Sequence, residues 1–152
     1  PVELPVDVVA ASAFEEHAEA RVATVDAIPP GWLGLDIGPA TAEAFGVGQR
    51  AGVDLHKLVE LISAGPVNCG LFQAMAKTLQ GDLAGLKFEL DNARKDVRYY
   101  THLAENLAIP SVMGEAVHQS LSIASALGHG KKLVPSLVEA QEQLAHVKLV
   151  PR

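Results

Sequence analysis

Leu86-Lys87-Phe88-Glu89-Leu90-Asp91-Asn92-Ala93-Arg94-Lys95-Asp96-Val97-Arg98-Tyr99-Tyr100-Thr101-His102-Leu103-Ala104-Glu105-Asn106-Leu107 carries the deciding pattern. Its residues Leu86, Leu90, Ala93, Val97, Tyr100, Ala104 and Leu107 are separated alternately by four and three positions. That spacing lays them on one stripe of an α-helix and would scatter them over both faces of a strand. It predicts a long helix over 86–108, closed by Pro110, whose ring cannot continue a helix. On the outer face Asp91 and Lys95 stand four apart and are expected to pair across one turn.

Outward from this segment the helical grammar continues. Residues 41–52 have helical composition. Asp54 is placed to cap a helix whose Leu55, Leu58, Val59 and Ile62 share a stripe, with Gly65-Pro66 stopping it. Asn68 is expected to cap the next helix, with Leu71, Phe72, Met75 and Leu79 inward and Gly81 at its end. Further helices are predicted over 114–127, ended by Gly128, and over 135–146. The N-terminal part reads differently. Val6-Asp7-Val8-Val9-Ala10-Ala11 and Arg21-Val22-Ala23-Thr24-Val25 have the composition of short strands. Ile28-Pro29-Pro30-Gly31-Trp32 reads as an irregular turn. Trp32-Leu33-Gly34-Leu35-Asp36-Ile37-Gly38-Pro39 reads as a strand running into a helix, with Asp36 as cap and Pro39 in the first turn. The expected fold is α+β and mainly α: a short N-terminal β segment of two or three strands, joined through a helix to a bundle of about six helices.

Composition bounds what such a chain does. It has 152 residues, 49% of them hydrophobic, which is far too apolar for a disordered tail. Aromatics are only 5%, so the core must come from Leu, Val, Ile and Ala. Twelve Lys+Arg against 18 Asp+Glu leave a net charge of −6, and the doublet Lys131-Lys132 is too small for a phosphate-backbone surface, so no nucleic-acid partner is expected. No apolar run approaches the ~18 residues of a membrane span, so no membrane partner is expected either. Pro1-Val2-Glu3-Leu4-Pro5 lacks the pattern of a signal peptide. Cys69 is the single cysteine, which points to a reducing compartment and hence a cytoplasmic location.

No complete catalytic constellation is legible. The histidines His17, His56, His102, His118, His129 and His146 include no pair four apart, so there is no helical zinc face. Glu115-x-x-His118 is a single Glu-x-x-His unit where a di-iron bundle needs two, and it reads as a solvated helix face. Cys69 reads as a small buried residue. Gly128-His129-Gly130-Lys131-Lys132 departs from a P-loop at Ser125 and Lys132, and reads as a helix C-cap with cations at the negative end of the dipole. Gly46-Val47-Gly48 lacks the third glycine and the preceding strand of a dinucleotide fingerprint. Catalytic and metal-binding residues are therefore assigned to none.

Two family resemblances share the chain. Trp32-Leu33-Gly34-Leu35-Asp36-Ile37-Gly38-Pro39-Ala40-Thr41, with Leu4-Pro5-Val6-Asp7-Val8-Val9 and Ala18-Glu19-Ala20-Arg21-Val22 before it, resembles phosphoglycerate kinase over residues 1–45. The resemblance implies an internal piece of that enzyme's nucleotide-binding domain, with Gly34 against the nucleotide. The chain departs from the family at Ala40, where lysine is usual, and lacks the lysine-bearing nucleotide loop, the downstream glycine-rich motifs and the sugar-binding domain. From about Ala42 onward, Arg50-Ala51-Gly52-Val53-Asp54, Leu61-Ile62-Ser63-Ala64-Gly65, Phe88-Glu89-Leu90-Asp91-Asn92-Ala93-Arg94-Lys95-Asp96-Val97, Ile109-Pro110 and Ala126-Leu127-Gly128-His129-Gly130 resemble the C-terminal helical domain of 3-hydroxyisobutyrate dehydrogenases. That resemblance implies that Lys95 reaches a nicotinamide cofactor, NAD or NADP in the parent family, and that Asp96 supports it. The family's Rossmann domain and the catalytic lysine of its interdomain helix have no counterpart.

The chain thus reads as two segments, 1–45 and 46–152, with Thr41-Ala42-Glu43-Ala44-Phe45 fitting either parent. A seam inside a shared helix keeps its register continuous, and an engineered or recombined chimera is the expected origin. The expected function is that of a non-catalytic folded chimera without a cofactor of its own, associating into a homodimer through helix faces left uncovered. The alternative is a dehydrogenase fragment retaining part of the cofactor site at Lys95 and Asp96, with Gly34 as the trace of the kinase site.

Overall fold

The structure, a computed structural model, describes residues 32–151. The ridge of the quoted segment forms a helix, but over Leu90–Asn106. In chain order the elements are α1 (Trp32–Leu35), α2 (Ile37–Arg50), α3 (Leu55–Ser63), α4 (Gly70–Ala76) with a 3-10 turn over Lys77–Gln80, α5 (Leu90–Asn106), α6 (Val112–Ala124) and α7 (Leu137–Ala145). A π-type turn spans Ser125–His129 and a 3-10 turn Val134–Ser136. The expected helical bundle is present. The proposed strands at 6–11 and 21–25 and the turn ahead of Trp32 lie outside the described residues.

Several helix starts differ from the sequence reading. Residues 86–89 are not helical, because Phe88 and Glu89 run beside Leu133 and Val134: Val134 N donates to Phe88 O at 2.9 Å, and Leu90 N to Lys132 O at 2.9 Å. Asp91 N donates to Gly130 O at 2.9 Å. The free N–H groups at the start of α5 are thus met by backbone carbonyls of the 130–132 loop rather than by a side-chain cap. At α4 the cap is Cys69, whose Sγ accepts from Phe72 N at 3.5 Å. Asn68 is spent elsewhere: its Nδ2 donates to Ser63 O at 2.9 Å, and its Oδ1 accepts from Gln73 Nε2 at 2.8 Å. Trp32–Leu35, read as a strand, is helical, and it packs beside α2 and α5. Asp36 precedes α2 with no side-chain cap bond. Asp54, by contrast, caps α3 as its sequence context indicates, accepting from His56 N and Lys57 N.

The core forms where α2 lies along α4 and α7 and α5 lies along α6. Phe45, Leu90, Ala93, Val97, Leu121 and Val138 are fully buried, with Met75 nearly so. Gly46 lets α2 approach α7 closely, since a Cβ there would stand 2.7 Å from Gln141 Cγ. The segment after α7 returns to the core: Leu149 and Val150 are buried, and their amides both donate to Glu142 Oε1, at 2.6 and 2.8 Å. Among the described residues no helix is long and apolar enough to cross a membrane.

Candidate functional site

Lys95 and Asp96 sit on the second turn of α5. Lys95 Nζ lies 3.3 Å from Asp96 Oδ1 and 5.9 Å from the centre of the Tyr99 ring. Their side chains are 52% and 30% exposed, so the pair faces an open surface. Gly34, on α1, is half-buried and faces α4: a Cβ built on it would stand 2.3 Å from Leu71 Cδ1. Its missing side chain serves a close helix contact with Leu71 and is not part of the Lys95–Asp96 pair.

The sequence pairing of Asp91 with Lys95 does not form. Asp91 instead accepts from Ser125 Oγ at 2.7 Å, and lies 3.5 Å from Arg94 Nε and 3.6 Å from Lys131 Nζ. The Ser125 bond, then the charges of Lys131 and Arg94, hold its carboxyl below the usual aspartate range against the opposing effect of burial. Gly130 leaves room for this carboxylate, because a Cβ there would meet both of its oxygens at 2.7 Å. Lys131 Nζ is also 3.0 Å from Glu89 Oε1, and Lys132 Nζ is 2.9 Å from Glu139 Oε2. The two lysines are therefore bound to carboxylates rather than standing free at a helix end. Gly128, at φ +93, does end the helical run as its position predicts.

A cavity of about 490 Å³ that no sequence signal marked opens beside this turn, lined by His129, Lys132, Glu139, Glu142, Gln143, Val147 and Lys148. His129 is buried, and its Nε2 lies 2.9 Å from Gln143 Nε2, the amide being the donor. Its Nδ1 lies 3.6 Å from Glu139 Oε2, too far for a hydrogen bond. Burial, with Lys132 adding to it and Glu139 opposing, lowers the His129 pKa below the ordinary 6.5. Burial raises the Glu139 carboxyl, but the hydrogen bonds from Lys132 and Ser136 and the charges of Lys132 and His129 bring the net shift down. Among the described residues no group of three or more His, Cys, Asp or Glu stands ready to hold a metal ion.

His118 on α6 is lowered too, first by burial and then by Arg94, Arg98 and His102, with Glu115 opposing. Both histidines thus bind a proton more weakly folded than unfolded. The unfolded chain takes up more protons as pH drops through 6.5, so stability is full above that value and is lost as pH falls below it. Urea midpoints measured at about pH 7.5 and about pH 5.5 are expected to fall with acidity, and by less in His129→Gln. Equal midpoints at the two pH values contradict the lowered proton affinity of the two histidines.

Comparison with known proteins follows the division of the chain. The family model for the NAD-binding part of NADP-dependent 3-hydroxyisobutyrate dehydrogenase matches residues 38–140, and that for phosphoglycerate kinase matches residues 1–51. The two matches overlap over residues 38–51, almost all of it α2. The phosphoglycerate kinase of Aliarcobacter butzleri is 62% identical over 42 residues, 28% of this chain and 10% of the kinase. That of Synechococcus elongatus is 37% identical over 83 residues, 55% of this chain and 20% of the kinase. The crystal structure of a 3-hydroxyisobutyrate dehydrogenase from Salmonella typhimurium shares the fold, with a TM-score of 0.63 at 23% identity, over 71% of this chain and 38% of that one. The chain spans a small part of each of these relatives. Kinase-like and dehydrogenase-like segments are both present, as their strings in the sequence indicated.

Proposed function

From the premise that the chain belongs to the family of the NAD-binding domain of NADP-dependent 3-hydroxyisobutyrate dehydrogenase, we propose that it is a non-catalytic folded chimera that self-associates through its helical part. Its N-terminal piece is kinase-like, and the seam falls in α2, a continuous helix over Ile37–Arg50. The observation that carries self-association is apolar surface at the α5–α6 connection. Ile109, Val112 and Met113 are 59%, 75% and 63% exposed within five residues of chain. Side chains of this kind, grouped together, favour burial against a partner. A second copy of the chain, meeting the same patch about a two-fold axis, is the occupant this reading assigns.

Light scattering is expected to return twice the chain mass, and Met113→Glu to return the chain mass with the fold intact, because the residue makes little core contact. A wild-type chain that stays monomeric at high concentration overturns the association. Hydride exchange between a 3-hydroxy acid and NADP⁺, or phosphoryl transfer from ATP, overturns the non-catalytic reading.

A second reading rests on Lys95 and Asp96. An ammonium fixed by a neighbouring carboxylate offers donors to one edge of a nicotinamide nucleotide, and these residue types fit that edge. Bound there, the nucleotide would supply hydride chemistry, while Lys95 holds it and Asp96 orients the lysine. The open surface around the pair supports a contact rather than an enclosing site. Fluorescence change on adding NADPH, abolished in Lys95→Gln, favours this reading, and an identical response from wild type and K95Q removes it.

A further inference from the structure

Arg94, Arg98 and His102 recur every four residues along α5, so their side chains leave one ridge at steps of about 5–6 Å. The helix α6 packs beside α5 and brings His118 within the electrostatic reach of all three. Polar groups here lack the partners their burial calls for. Arg94 Nε is buried and, among the described residues, makes no hydrogen bond, its nearest acid being Asp91 Oδ1 at an ion-pair distance of 3.5 Å. His118 Nε2 is buried and has no hydrogen-bond partner among the described residues either. Arg98 has no carboxylate within ion-pair distance among the described residues; its Nε donates to His102 Nε2 at 3.4 Å. Acids outnumber bases 18 to 12 in this chain, yet among the described residues Glu115 is the one carboxylate that acts on His118 against the three basic neighbours.

A buried guanidinium N–H and a buried imidazole nitrogen that make no hydrogen bond among the described residues, beside the guanidinium of Arg98 with no acid in reach, describe a place that suits an anion. We propose that the ridge of Arg94, Arg98 and His102, faced by His118, binds a phosphate group, either free or as a monoester. The guanidinium of Arg98 presents a planar fork of N–H donors that matches two phosphate oxygens. His118, with its proton on Nε2, donates a further bond from the α6 side. Lys95 stands next to this ridge in sequence but is engaged by Asp96, so the site is separate from the nicotinamide contact considered above.

Calorimetric titration of the full chain with inorganic phosphate at low salt, and in parallel with adenosine monophosphate, tests the site. Saturable single-site binding is expected, weakened about tenfold by Arg98→Gln, which removes a charge-assisted fork at an exposed position. His118→Asn is expected to weaken it as well. Lys148→Gln, beside the His129 cavity, is expected to leave it unchanged. Tighter binding of the ester than of phosphate identifies a nucleotide-like ligand, equal affinities a free phosphate, and either result supports the site. Heat that does not saturate, R98Q binding as tightly as wild type, or equal weakening in K148Q overturns it.

Discussion

Phe45→Ala is expected to destabilise the chain by about 3–5 kcal/mol, against a total that for most domains is about 5–15 kcal/mol. Phe45 is fully buried on α2, the helix that packs against both α4 and α7. It also lies where the kinase and dehydrogenase matches overlap. Deleting the ring removes its transfer energy and leaves a cavity that two neighbouring helices must collapse to fill. Urea unfolding measures the loss. Phe45→Leu, which keeps most of the volume, is expected to cost about 1 kcal/mol. A loss below that in the alanine variant would mean that α2 is only loosely attached, and that the junction helix is no part of a shared core.

The second large effect is expected from Glu142→Ala. A single carboxylate oxygen takes both the Leu149 and the Val150 amides and so seats two buried side chains beyond the end of α7. Truncation leaves two part-buried N–H groups without an acceptor, at a combined cost of about 2–4 kcal/mol. Amide hydrogen exchange at Leu149 and Val150 is expected to accelerate well beyond that elsewhere in the bundle. Glu142→Gln keeps an oxygen in place and is expected to lose less than half as much. Unchanged protection of both amides in the alanine variant would show that Leu149 and Val150 are held by apolar contact alone.

How far residues announce this structure depends on how far apart the causes lie. The stripe from Leu90 to Ala104 was readable because every member is within one turn of the next, and Leu90, Ala93, Val97 and Ala104 are indeed buried. Asp54 was readable as a cap for the same reason. Asn68 misled: it has the right chemistry for a cap, but Ser63 and Gln73 claim its side chain and leave Cys69 to the helix. Asp91 misled in the same way. Lys95 is one turn away, yet Ser125, 34 residues on, together with Arg94 and Lys131, takes its oxygens. The candidate site shows the same division. Lys95 and Asp96 could be singled out through a family resemblance, whereas the cavity around His129 is gathered from a turn and a helix whose residues carry no shared local signal.

From sequence alone came the helical character of the bundle, its breaks at Gly81, Pro110 and Gly128, and the likeness of its two parts to two enzyme families. Such features depend on backbone stereochemistry and on neighbours a turn away, which any chain carries in its local order. Only the folded arrangement decided that α5 begins at Leu90, that Gly34 lies under Leu71, and which acid each of Lys131 and Lys132 takes. Those choices are competitions between partners distant in the chain, and they are settled when packing makes some of them near and others unreachable.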